Sequence, residues 1–195
     1  MDTSLFVLGG ATWINLLNTV VIHNKQPTDL LADPVITMSW LEENGLLLPG
    51  MHSPSDPAND VRIRSRLVIL REIFTHVLND LKRQGTLSAS IYDEIKKCTE
   101  ALDIKLTTSF KGAKLVLMYE GKTPLDQIAY TIIHSAFDML SNISPDRIRK
   151  CEHKDCILHF VDVSKSGRRR WCSMEQCGNR HKAAQFYEKK KTKKT

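Results

Sequence analysis

Apolar residues recur at helical spacing over most of the first 143 positions and lose that period twice. Trp13, Leu16, Leu17 and Val20 fall on one side of a helix expected over residues 11–22, followed by a polar loop. Thr28 or Asp29 is placed to cap a short helix. Pro34 suits the first turn of the next, whose Val35, Met38, Trp40 and Leu41 end before Gly45. Pro49, Pro54 and Pro57 make 49–59 a surface loop. From Asn59 or Asp60 the longest helix runs through Ile63, Leu67, Leu70, Phe74, Val77 and Leu81 to Gly85, and another covers Leu87 to about Leu102.

The period then changes to that of strands. Ile104 to Phe110 and Ala113 to Tyr119 form a hairpin through Lys111-Gly112. Thr123-Pro124 supplies the cap and first residue of a helix with Leu125, Ile128, Ala129, Ile132, Ile133, Ala136 and Leu140 inside, and Ser144-Pro145 ends it. These elements predict a mainly α domain with a small β-hairpin (α+β) over 1–143 and a second, smaller unit over 144–195.

That smaller unit carries the clearest chemical signal. Cys151 and Cys156, then Cys172 and Cys177, are two C-x4-C pairs separated by fifteen residues. A tetrahedral d10 ion takes four thiolates from two such loops, and a segment this short needs a metal, a disulfide or a partner to fold. Two disulfides, or four separate buried thiols, are the alternatives. No basic region precedes an apolar one at the N-terminus and no apolar run reaches transmembrane length, so a soluble, cytoplasmic chain with one structural Zn2+ is expected. His153, His159 and His181 are not needed as ligands, because four sulfurs complete the set. Cys98, far from the others, reads as a small buried apolar residue.

Charge follows the same division. Residues 147–195 hold 15 of the 28 Lys and Arg and 5 of the 22 Asp and Glu, a net +10, which leaves −4 on the remainder. A basic module beside an acidic body is the footprint of a polyanion partner. Within the module, Ile157–Val163 and Arg168–Trp171 are expected as two strands, joined through residues 164–167, and a helix is expected from about Gly178 to Lys190. Lys165, Arg168, Arg169 and Arg170 are candidate nucleic-acid contacts, with Arg168 and Arg170 on one strand face and Arg169 on the other. Asn179 is placed to cap the helix or to read adenine, and Arg180 and Lys182 to reach phosphate. Gly178 lets the backbone turn close to sulfur so that amides bond to thiolate. Trp171 packs the small core of the module.

The run from Phe160 to Met174, with Arg168-Arg-Arg-Trp-Cys172, followed by Cys177-Gly-Asn-Arg180, resembles the CGNR zinc finger at the C-terminus of a bacterial family of predicted stress-induced transcription regulators. Gly9-Gly10, Leu16-Leu-Asn-Thr19, Asp29-Leu30 and Ser39-Trp40-Leu41 resemble that family's N-terminal ABATE domain, with Asn15 where the family usually has an acidic residue. The resemblance implies a DNA-binding, or alternatively RNA-binding, regulator. Its finger is expected to be a treble clef or a ribbon with an added helix. The body is expected to sense a small-molecule effector or to form a homodimer. Arg62 and Arg66, one turn apart, either hold an acidic effector or form a surface charge stripe. Tyr130, His134 and Asp138 share a helix face without a nucleophile or phosphate loop, so a solvent-facing polar stripe is expected and no catalysis.

Overall fold

A computed structural model describes residues 3–47 and 57–192. Its order is α1 (Thr12–Leu17), β1 (Val20–His23), β2 (Gln26–Asp29), α2 (Pro34–Glu43), α3 (Pro57–Gln84), α4 (Ala89–Glu100), β3 (Ile104–Lys111), β4 (Lys114–Gly121), α5 (Pro124–Asn142), β5 (Ile148–Lys150), β6 (His159–Val161) and α6 (Asn179–Thr192). Three separate two-stranded antiparallel sheets, β1-β2, β3-β4 and β5-β6, are set among the helices. Among the described residues no helix is long and apolar enough to cross a membrane.

The short α1 is the hub. Trp13, Ile14 and Leu16 are completely buried, and α1 packs on α3, α5 and β6. Each such side chain contributes roughly 1.5–3 kcal/mol of burial, which explains how six residues hold a helix too short to persist alone. The expected helix over 11–22 ends earlier, at Leu17. The β-branched Val20-Val-Ile22 instead pairs with Gln26–Asp29, register His23↔Gln26, around Asn24 and Lys25 with φ of 48° and 65°. Both positive φ values match the hairpin turn whose twist suits the flanking strands.

Capping follows the expected chemistry. Asp29 accepts from the Leu31 amide, Asp33 from Val35 and Ile36, and Thr123 from Asp126. The expected loop over 49–59 lies mostly outside the described residues. Where the chain is described again, Pro57 already opens α3, so the long helix starts two residues before Asn59.

One apolar cluster runs from Phe6 through Trp13, Phe74 and Ile132 to Phe160 and Cys177. Chain direction changes after α5, close to the expected boundary at 143/144, yet the apolar packing continues across it. Backbone and side-chain bonds follow the same path. The outer edge of β6 is closed by the body: Val161 N–H donates to the Gly9 carbonyl at 2.9 Å. Asn18 brackets His159, its Nδ2 donating to the His159 carbonyl at 2.8 Å and its Oδ1 accepting the His159 amide at 2.7 Å. The body thus stands in for a third strand on an edge that would otherwise carry unpaired groups. Gly9 is required there because a Cβ would lie 2.6 Å from Asn15 Oδ1, which accepts the Gly9 amide. Asn15 is buried and also donates to Asn44, so its role in this chain is structural.

Candidate metal centre

The four cysteines come from two local structures. Cys151 follows β5, with its amide on the Leu158 carbonyl, and Cys156 closes the turn by donating its amide to His153. Cys172 precedes a single wide turn, Met174–Gly178, that contains Cys177 and leads into α6. Ser173 caps that turn by accepting from Gln176. One ligand pair therefore sits on the connection between two short strands, the other at the start of a helix.

All four Sγ atoms lie within 4.8 Å of one another. Cys156 and Cys172 are 3.8 Å apart, and Cys172 and Cys177 3.7 Å. A tetrahedron with zinc–sulfur bonds of about 2.3 Å has edges of about 3.8 Å. Disulfide sulfurs would approach to about 2 Å, and all the cysteines are free. The disulfide alternative is thereby excluded in this geometry. The residues fit a structural Zn2+.

Electrostatics give the same answer. The contact with Cys172 holds Cys156 down to about 5, while the same contact and then burial push Cys172 far up. Cys177 is pushed up to about 12 by burial and then by the charge of Cys156 and Cys151. Four thiolates require a cation among them, so metal capture expels protons.

Residues 147–190 match the CGNR zinc finger family, which spans all four cysteines. No curated protein matches the chain. The cysteine cluster and the family match together define a zinc finger holding one structural Zn2+.

The surroundings differ from the expected pair of strands. His159–Val161 pairs with Ile148–Lys150, register Ile148↔Val161, instead of with Arg168–Trp171. Asp162 is the reason. Fully buried, its carboxylate collects the Ser164 amide and hydroxyl at 3.0 and 2.6 Å and the Arg169 amide at 2.8 Å, which turns the chain back without a ladder. Those donors, led by the Ser164 hydroxyl, hold its carboxyl down to about 2. Arg147 closes the loop from the other side by donating to the Asp162 and Ser164 carbonyls. Asp162 was not among the residues singled out from sequence; the Asp162-Val-Ser164 spacing typical of a side-chain turn was the available signal.

The expected contact residues occupy distinct environments. Lys165, Arg168, Arg180 and Lys182 are exposed. Arg169 turns inward: it lies over the Phe160 ring at 4.6 Å and donates to the Trp171 and Cys172 carbonyls. Arg170 is exposed but pairs with Glu152 at 2.5 Å and lies over Trp171. Asn179 is not a cap, since its φ of −69° and ψ of −39° are helical and Ser173 already caps. The Gly178 amide donates to the Ser173 carbonyl and not to sulfur. A Cβ there would displace the flexible Met174 side chain, 2.5 Å away at Sδ, and crowd Trp171. Trp171 is partly buried against the core and stacks on His181, ring centroids 4.7 Å apart.

In the body, Arg66 is half-buried near Cys98, whose thiol burial pushes up, and Arg62 is exposed. Arg71 went unnoticed in the sequence: it forks onto both Asp29 oxygens at 2.7 and 2.6 Å and onto Thr19 at 2.8 Å. That pair ties the β1-β2 hairpin to α3. On the α5 face of Tyr130, His134 and Asp138, the latter two are exposed as expected of a polar stripe, while Tyr130 is half-buried beside the His134 ring; Tyr130 and His134 also line an open hollow with Tyr119, Leu106, Ile133 and Phe137.

Proposed function

We propose that this chain is a zinc-dependent DNA-binding transcription regulator whose finger is the binding module and whose body is a sensing domain of the ABATE type. The observation that carries the reading is the set of exposed cations, Lys165, Arg168, Arg180 and Lys182, grouped on the two segments that leave the four-cysteine site. Zinc sets the relative placement of those segments. In this reading the finger is a treble clef, with a strand-connecting ligand turn and a ligand pair at the start of α6.

Arg168 and Lys165 on the loop, with Arg180 and Lys182 in the first turns of α6, neutralise phosphates and release counterions. Arg169 acts by bracing the loop against Phe160 and the Cys172 carbonyl. Arg170 exchanges Glu152 for phosphate, so its contribution is smaller than that of Arg168. Asn179, exposed on α6, is the candidate for reading a base edge. The chain acts in the cytoplasm as a binding protein and not as a catalyst. An acidic small-molecule effector near Arg62 and Arg66 belongs to the same reading.

Fluorescence anisotropy with duplex DNA and with structured RNA, at several salt concentrations, tests it. Arg168→Ala weakens DNA binding and lowers the log–log salt slope by about one unit. Tighter binding of the RNA than of any duplex selected from a random library replaces DNA by RNA as the partner.

A further inference from the structure

The β3-β4 hairpin has two unlike faces. Register pairs Leu106 with Tyr119, Thr108 with Leu117 and Phe110 with Leu115, which puts Leu106, Phe110, Leu115, Leu117 and Tyr119 on one side. The opposite side carries the Lys105–Glu120 ion pair at 3.2 Å together with Thr107, Ser109, Lys114, Val116 and Met118. Alternation of this kind is the mark of a strand pair with one face buried, yet Phe110 is 69% and Leu115 71% exposed.

The apolar face is uneven along its length. At its base, α5 and the end of α4 lie beside it and border an open hollow of about 730 Å3 lined by Leu102, Tyr119, Tyr130, His134 and Phe137. At its tip, Phe110 and Leu115 face each other across the strands and project into solvent. A two-fold axis through the middle of the face, near Thr108 and Leu117, carries the tip of one copy onto the hollow of the other. Projection and hollow exchange simultaneously, as a closed isologous interface requires.

The exposed apolar area agrees with this occupant. Leu106, Phe110, Leu115, Leu117, Tyr119 and Phe137 are each at least half exposed, and side chains of this size leave on the order of 800 Å2 uncovered, the share of one partner in a standard interface.

We propose that the apolar face of the β3-β4 hairpin is a homodimer interface, with Phe110 and Leu115 of each copy seated in the hollow between hairpin and α5 of the other. This names the partner of the body, and it stands independently of nucleic-acid binding because its readout is mass.

Analytical ultracentrifugation of the zinc-loaded full chain at concentrations on the order of 10 µM tests it. The expected mass is twice 22.2 kDa. Leu117→Glu, at a position 57% exposed, leaves helical circular dichroism unchanged and weakens association on the order of 100-fold or more. A monomeric wild-type chain overturns the proposal, as does a Leu117→Glu chain that stays dimeric. Native mass spectrometry showing an apolar small molecule on a monomer, lost in Leu117→Glu, overturns it in favour of a ligand site.

Discussion

Asn18→Ala removes the side chain that fastens the finger to the body, and its cost follows from two bonds spanning 141 positions of sequence. Asn18 is only 5% exposed, so water does not readily replace what is lost. Each bond contributes about 1 kcal/mol net, and stranding the His159 amide and carbonyl adds desolvation of about 1–3 kcal/mol for each group that stays dry. Partial hydration of the loosened edge brings the total to roughly 2–5 kcal/mol. For a chain of this size that is a fall in melting temperature of about 5–15 °C. Calorimetry on zinc-loaded protein reads the shift, and elemental analysis of the same sample should still find one zinc per chain, since no ligand is touched. The Gly9–Val161 bond remains, so the finger loosens without detaching. A loss below about 0.5 kcal/mol would show that the β6 edge gains nothing from the body and that finger and body are mechanically separate.

Three further outcomes follow from the same contacts. Cys172→Ser, which takes away the sulfur 3.8 and 3.7 Å from two others, should abolish zinc in elemental analysis and the protection of finger amides from hydrogen exchange, while the α3 and α5 amides stay protected. His159 is held at about 4 by burial and then by Lys82 and Lys150. Its neutral form therefore contributes stability above the unfolded value near 6.5 that is lost as pH falls towards 4, on the order of 3 kcal/mol at most. The wild-type minus His159→Gln difference in denaturant midpoint should shrink across that window, and a flat difference would refute the assignment. Arg71→Met strands Asp29, whose carboxyl the Arg71 fork holds below the ordinary carboxylate range; it should destabilise the chain at neutral pH and flatten the acid limb below about pH 4, read by urea titration.

Local chemistry was the most legible part of the sequence. Thr123-Pro124, Pro34 at the first turn of α2 and the long stripe through α3 act within a few residues, and the structure repeats them. The four cysteines were legible because a metal imposes its own geometry on any chain that supplies sulfurs at workable spacing. What failed depends on tertiary partners. Val20-Val-Ile22 continues a helical stripe on paper, but β-branched residues beside a turn formed by Asn24 and Lys25 find a strand partner in Gln26–Asp29. Arg168–Trp171 has strand character, yet the Asp162 carboxylate takes the Arg169 amide and the ladder forms with β5, on the far side of Cys151. The Asn18 latch and the Arg71–Asp29 fork join residues far apart in sequence, and nothing local distinguishes those asparagine and arginine residues from surface ones.

The central claim, that zinc assembles a basic module for DNA, is tested most directly by comparing one preparation with and without its metal. Duplexes enriched from a random library are titrated with zinc-loaded chain, with chelated chain and with chelated chain after zinc is returned, each over a range of salt. The account predicts tight, steeply salt-dependent binding by the loaded form, a loss on chelation of 10-fold or more, on the order of the weight of several phosphate contacts, and recovery with zinc. Equal affinity of the chelated and loaded forms would contradict it.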